Sequence, residues 1–270
     1  MARPIRHGER VEMNWITIGA STDTGCVKVE NQDYHTWYPR DDSKTGRKGT
    51  LLIIADGMGG HAYGAKASKM AVNTLLDIYR RRRSGPIVKI LEHGFHETNR
   101  AIFEKSSEML TARGMGTTLV AVFLKGPKLH FAHVGDSRGY LVNKTGIFQF
   151  TKDHSYVASL VKAGVIPPEK AQEHPQRHVL TRAIGLQETI SVDTSRQPIP
   201  VKKGDYVLLC CDGLWGVVPD EDILACVRRD RKPAKISENL VKRAIDNGGP
   251  DNITVVTARV NRTGWISGLF

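Results

Sequence analysis

The stretch that most constrains this chain runs from Leu51 to His61 and reads Leu-Leu-Ile-Ile-Ala-Asp-Gly-Met-Gly-Gly-His. Five apolar residues in succession suit a strand covered on both faces, and the glycines behind them allow a sharp turn at its end. Asp56 is then held at the tip of a rigid strand. Glycine keeps the neighbouring backbone carbonyl accessible, so a cation can approach Asp56 and Gly57 closely. Taken alone, Asp-Gly after a strand reads as a turn.

The same design recurs three times. Leu129–Gly135 runs into Asp136, Tyr206–Cys211 runs into Asp212-Gly213, and Gly248-Gly249-Pro250-Asp251-Asn252 precedes the apolar Ile253–Val260. Carboxylates gathered at strand ends repel one another unless cations neutralise them, and hard oxygen donors suit Mg²⁺ or Mn²⁺. The pattern predicts a metal site. Upstream, Lys28 and Asp33 lie in a polar stretch and are candidates for holding an anion and a cation's water shell; each alone is commonly a solvated surface charge.

A chain of 270 residues, 40% hydrophobic, can bury a full core. The first strand is expected over Trp15–Ala20, with residues 1–14 a polar, basic extension and 262–270 a short tail. No run of about 18 apolar residues occurs, which excludes a spanning helix. From Gly64 the period becomes helical, with Ala67, Met70, Ala71, Leu75 and Ile78 on one face; the helix ends in Arg80–Arg83. A second helix carries Ile87, Ile90, Leu91, Phe95, Thr98, Ile102 and Phe103, with Gly94 as its weak point. Strands resume at Gly116, and Leu129–Val134 with Tyr140–Asn143 at hairpin spacing predict a meander rather than alternating βαβ units. Lys152-Asp153-His154-Ser155 reads as the cap of a helix over Tyr156–Ala163, and a Pro- and charge-rich excursion follows to about Pro200. Helices over Pro219–Arg231 and Pro233–Asn247 precede the last strand. Cys26, Cys210, Cys211 and Cys226 include no CxxC pair, so they read as reduced, with Cys210 and Cys211 small apolar residues in a strand.

The order Thr22-Asp23-x-Gly25, Asn31-Gln32-Asp33, Ala55-Asp56-Gly57-Met58-Gly59-Gly60-His61-x-x-Gly64, Gly116-Thr117-Thr118, Val134-Gly135-Asp136-Ser137-Arg138, His174-Pro175-Gln176-Arg177, Asp212-Gly213-Leu214 and Gly249-Pro250-Asp251-Asn252 resembles the metal-dependent protein phosphatases of type 2C in their compact bacterial form. The match spans residues 15–261. The resemblance implies an α+β fold in which a sandwich of two antiparallel sheets is flanked by helices, with metals in the cleft at one end. It also implies a flap over residues 155–198. Carried over by position, Asp56 bridges two Mn²⁺ or Mg²⁺ ions and Gly57 offers its carbonyl. Asp212 and Asp251 complete the ligands of one metal, Asp33 acts directly or through water, and Asp136 pairs with Asp212 for a third, weaker metal. Lys28 stands where relatives usually place an arginine for the substrate phosphate, and lysine binds it as a point charge rather than through two parallel bonds.

The implied reaction is direct hydrolysis of a phosphoserine or phosphothreonine ester by water activated between two cations, with no phosphoenzyme intermediate. Met58 stands where many eukaryotic relatives carry a proposed general-acid histidine, and His61 lies at another offset, so a metal-bound water is the expected proton donor. No phosphate-cradling loop surrounds a cysteine, which speaks against a thiolate phosphatase. Expected partners are phosphorylated proteins, with a cognate kinase or its substrate among them, and the chain is read as a cytoplasmic monomer. Two rivals differ in class. A net charge of +11 suits nucleic acid, and two-metal carboxylate clusters also serve nucleases; the positive charges are dispersed, however, and aromatic residues make up only 7%, too few for stacking platforms. A non-catalytic phosphoprotein reader on the same fold would have lost metal ligands, and all are present.

Overall fold

A computed structural model describes residues 9–39, 49–59, 63–81, 84–108 and 114–262. Gly60 and His61 of the glycine motif, most of the charged loop before the central strand, Arg82-Arg83 and the tail from 263 lie outside the described residues. Among the described residues thirteen strands form two antiparallel sheets. The six-stranded sheet runs β1 (Glu9–Glu12), β2 (Ile16–Asp23), β13 (Ile253–Val260), β12 (Tyr206–Cys210), β8 (Arg138–Val142) and β9 (Ile147–Gln149). The second runs β10 (Asp193–Thr194), β7 (Lys128–Val134), β6 (Leu119–Lys125), β4 (Thr50–Met58) and β3 (Asp33–Tyr38), with β11 (Ile199–Pro200) also on β7 and β5 (Gly116–Thr117) also on β4.

The apolar run of β4 explains the layering. Alternate side chains point to opposite faces of a strand, and both faces of β4 are covered. Leu51, Ile53 and Ala55 pack beneath helices α1 (Tyr63–Arg81) and α2 (Ile87–Glu108), against Ala67, Ala71, Leu75, Leu91 and Phe95. Leu52 and Ile54 turn inward to meet Ile18, Val207, Leu209 and Val256 of the other sheet. On its outer face the six-stranded sheet carries α4 (Asp212–Trp215), α5 (Asp220–Asp230) and α6 (Pro233–Asp246), with Leu208, Ile223, Ile236, Leu240 and Val255 in a third cluster. The order of layers is α, β, β, α. Helix α3 (Tyr156–Lys162) begins at Ser155, whose hydroxyl accepts from the Ala158 amide as the cap signal predicts.

Four expectations need correction. The meander does not continue from β7 to β8: the three residues Gly135–Ser137 carry the chain from one sheet to the other, where β8 pairs with β12 and β9. The basic extension is shorter than 14 residues, because Glu9–Glu12 pairs with Thr17–Ala20. Gly94 is not a weak point but a crossing, since a Cβ there would sit 2.5 Å from the Leu75 side chain of α1. The strand expected to reach Cys211 stops at Cys210, and Cys211 precedes α4 with its sulfur bonded to backbone, accepting from the Thr254 amide and donating to the Asn252 carbonyl.

Candidate metal centre

The antiparallel pairing of β3 and β4 sets Asp33 directly opposite Asp56. Opposed residues share a face, and Asp56 falls in the alternation of Leu52 and Ile54, so both carboxylates face into the sandwich at its end. The facing sheet contributes from the same end. Strands β12 and β13 are antiparallel neighbours, which brings Asp212, just past β12, beside Asp251, just before β13. Asp136 follows β7 by one glycine. Five carboxylates from five separate stretches of chain thus converge.

Backbone contacts fix the cluster. The Asp56 amide donates to the Thr118 hydroxyl, and the Asp56 carbonyl accepts from the Thr118 amide and the Thr117 hydroxyl, which gives the Gly116-Thr117-Thr118 motif its purpose. Gly57 lies so close to the start of α1 that a Cβ would stand 2.1 Å from the Gly64 carbonyl oxygen, and Gly213 would meet the Asn252 carbonyl at 2.0 Å. Trp215 donates its indole N–H to the Asp136 carbonyl at 3.0 Å, and the Arg138 guanidinium lies 3.7 Å over the Trp215 ring while forking onto Asp153.

The electrostatics point to a missing counter-charge. Burial first, then Asp33, Asp212, Asp136 and Asp251, hold the Asp56 carboxyl well above its ordinary value. Burial pushes Asp33 up to about 7; Thr254 and Cys211 beside it pull back, and Asp212 and Asp251 push further up. Neither oxygen of Asp33 completes a well-formed hydrogen bond, and Asp212 Oδ1 is likewise buried without one. Asp136 is raised by burial and by Asp212. Buried oxygens without donors, on like-charged groups packed together, are the donor set that a hard divalent cation satisfies. Asp33, Asp56 and Cys211 bring ligand atoms within 4.8 Å of one another, but the Cys211 thiol is pushed well up by burial and then by Asp33 and Asp56, as a structural thiol is rather than a nucleophile.

Two further side chains stand beside the cluster. Lys28 Nζ stands 2.9 Å from Asp251 Oδ1; burial lowers its pKa, but the Asp251 hydrogen bond and charge, with Asp212 and Asp56 further off, outweigh this and raise it. His178 Nδ1 lies 3.8 Å from Asp212 Oδ2. Sequence reasoning stopped one residue short of His178, at His174–Arg177; His174 instead lies beside the Tyr156 ring, with centroids 6.1 Å apart. It also missed Asn252, whose side chain accepts from the Gln32 amide and donates to the Thr24 and Glu30 carbonyls. The only sign was an amide adjoining Asp251.

A family model described as Protein phosphatase 2C matches residues 27–236. The chain is 35% identical over 239 residues to the serine/threonine phosphatase stp of Listeria monocytogenes, covering 87% of this chain and 92% of that one. It is 37% identical over 241 residues to the serine/threonine protein phosphatase PstP of Mycobacterium tuberculosis, covering 89% of this chain and 44% of that longer one. The crystal structure of M. tuberculosis PstP/Ppp superposes with a TM-score of 0.82 at 34% identity, over 92% of this chain and all of that one. The catalytic domain of PstP in complex with two manganese ions gives 0.78 at 34% identity, over 92% and 99%.

Proposed function

The chain belongs to the protein phosphatase 2C family and is a serine/threonine protein phosphatase dependent on Mn²⁺ or Mg²⁺, and on that premise we propose that the carboxylate cluster at the sandwich end is its catalytic centre. One observation carries the assignment: Asp33 and Asp56 are opposed in register, and the oxygens of Asp33 are buried without a well-formed hydrogen bond. Asp33, Asp56, the Gly57 carbonyl, Asp212 and Asp251 would hold two divalent cations, with Asp136 and Asp212 offering a third place. When bound, such cations act as Lewis acids, lowering the pKa of water toward neutrality and offsetting charge on a phosphoryl group.

The chain's own residues supply placement. Lys28 presents an ammonium to a phosphate oxygen; Asp251 holds it there, and a point charge fixes the phosphate less firmly than a guanidinium fork. Asn252 ties the Lys28 loop to the ligand-bearing stretch at Asp251. The segment 155–198 acts as a flap, supported by His178 standing against Asp212 and by the antiparallel bridge of Ser155 to Leu180 that folds the segment back on itself. No cysteine is required as nucleophile.

Phosphorylated proteins are the substrates. A cognate kinase or its target, action as a monomer, and a cytoplasmic setting complete the reading; four free cysteines support the last. Among the described residues no helix is long and apolar enough to cross a membrane. Neither the nuclease nor the non-catalytic reading is favoured, since the named relatives are phosphatases. Phosphate release from a phosphothreonine peptide, measured after chelation and again after Mn²⁺ is restored, tests the assignment. Release should vanish and return in the wild type and stay absent in Asp212→Asn; release by Asp212→Asn at the wild-type rate would overturn it.

A further inference from the structure

Lys28 is flanked by two aliphatic side chains that the fold leaves in water. Val27 is 66% exposed and Val29 101%. Among the described residues only seven large apolar side chains are exposed, and two of them bracket the one lysine set against the cluster. A single exposed valine needs no explanation; the pair does, because the loop is held stiffly. Its start is fixed by the Cys26 amide on the Gly249 carbonyl at 2.8 Å and by the Gly25 amide on Asp23. Both shoulders, Thr24 and Glu30, bond to the single Asn252 side chain, and Asn31 bonds to Thr22. Only Val27, Lys28 and Val29 project between the clamps, with Lys28 turned to Asp251.

We propose that Val27 and Val29 are specificity determinants that pack on the residues next to the phosphoserine or phosphothreonine of the substrate, and that the enzyme prefers phosphosites with aliphatic neighbours. The inference rests on Lys28 receiving the substrate phosphate as described above. With the phosphate on Lys28, the segment carrying it must cross the loop where the valines stand, and apolar neighbours then lose water against them. Because the loop is clamped before binding, little ordering cost offsets that gain. Val179, 46% exposed, directly follows His178, the residue that stands against Asp212, and is a further exposed aliphatic side chain on the flap.

The test compares kcat/KM for two phosphothreonine peptides, one with leucine on each side of the phosphothreonine and one with serine there, using the Mn²⁺-loaded enzyme and its V27S/V29S variant. The wild type should favour the leucine peptide by about tenfold, and the variant should narrow that ratio to about twofold. Equal rates on both peptides in the wild type, or an undiminished preference in the variant, would overturn the proposal. Equal rates accompanied by concentration-dependent self-association that V27S/V29S abolishes would overturn it in favour of a contact between two copies. Hydrolysis of an aryl phosphate, which has no flanking residues, reports on the catalytic centre separately: wild-type enzyme inactive on it would count against the centre rather than against the valines.

Discussion

Asp33 and Asp56 stand directly opposite each other across β3 and β4, two carboxylates on one inward face where a sandwich would ordinarily bury a hydrophobic pair. The arrangement is unfavourable without a cation, since burial raises both carboxyls and neighbouring carboxylates raise them further, Asp33, Asp212, Asp136 and Asp251 acting on Asp56 and Asp212 and Asp251 on Asp33. The metal-free fold therefore carries a cost that metal binding relieves.

Asp33→Asn should make that cost visible. In chelator at pH 8, above the value of about 7 to which burial raises Asp33, the variant loses one repelling charge and should melt a few degrees higher than the wild type, a gain of about 1 kcal/mol corresponding to roughly 2–4 °C. Its stabilisation by Mn²⁺ should shrink and its phosphatase rate fall at least about tenfold. Differential scanning calorimetry with and without Mn²⁺ reads both states, and an apo melting point below the wild type would contradict the repulsion argument.

Asn252→Ala removes three hydrogen bonds at once, to Gln32, Thr24 and Glu30. At about 1 kcal/mol each, the loss should be about 2–4 kcal/mol, with hydrogen exchange accelerated at the amides of residues 24–33. Unchanged exchange in that loop would show that Asn252 is not its clamp.

Acid should destabilise the protein through His133 and His154. Their rings lie 4.5 Å apart, His133 is fully buried, and burial first, then the charge of His154, holds its pKa at about 3 against an ordinary 6.5. His154, lowered by burial and Arg182, shifts in the same direction. Between those values the unfolded chain binds more protons than the folded one, so His133's contribution is intact above pH 6.5 and is lost as pH falls. The slope is about 1.4 kcal/mol per pH unit for each such group. His133→Phe should flatten the stability profile between pH 6 and 4 in urea titrations; the slope is the readout, whatever the offset, and an unchanged slope would contradict the assignment.

Lys28→Met should raise KM for a phosphopeptide about tenfold with a smaller effect on kcat, while Lys28→Arg should lower KM below wild type, because a guanidinium can grip two phosphate oxygens. Steady-state kinetics at saturating Mn²⁺ distinguishes these. An Arg variant no better than Met would mean that the side chain's pairing with Asp251, not phosphate binding, is what matters.

The sequence made some of this architecture legible and hid the rest for physical reasons. The apolar run of β4 and the helical spacing of α1, α5 and α6 are strong local signals, and the carboxylates adjoining glycines marked most of the centre. Strand β3 escaped notice because Asp-Tyr-His-Thr-Trp-Tyr has no apolar alternation, its His35 and Thr36 being buried polar groups. The passage of the chain between sheets at Gly135–Ser137 has the length of a hairpin loop, and only the partner of β8 distinguishes the two. Nothing local announces that one amide, Asn252, spans both shoulders of a loop some 220 residues away.

The central claim is that these distant carboxylates form one binding centre for two divalent cations. Isothermal titration of the chelator-stripped protein with Mn²⁺, wild type against Asp56→Asn, tests it most directly, with circular dichroism confirming that the variant is folded. Two ions should bind the wild type tightly and neither should bind Asp56→Asn with comparable affinity. Undiminished binding of both ions by the folded variant would contradict the account.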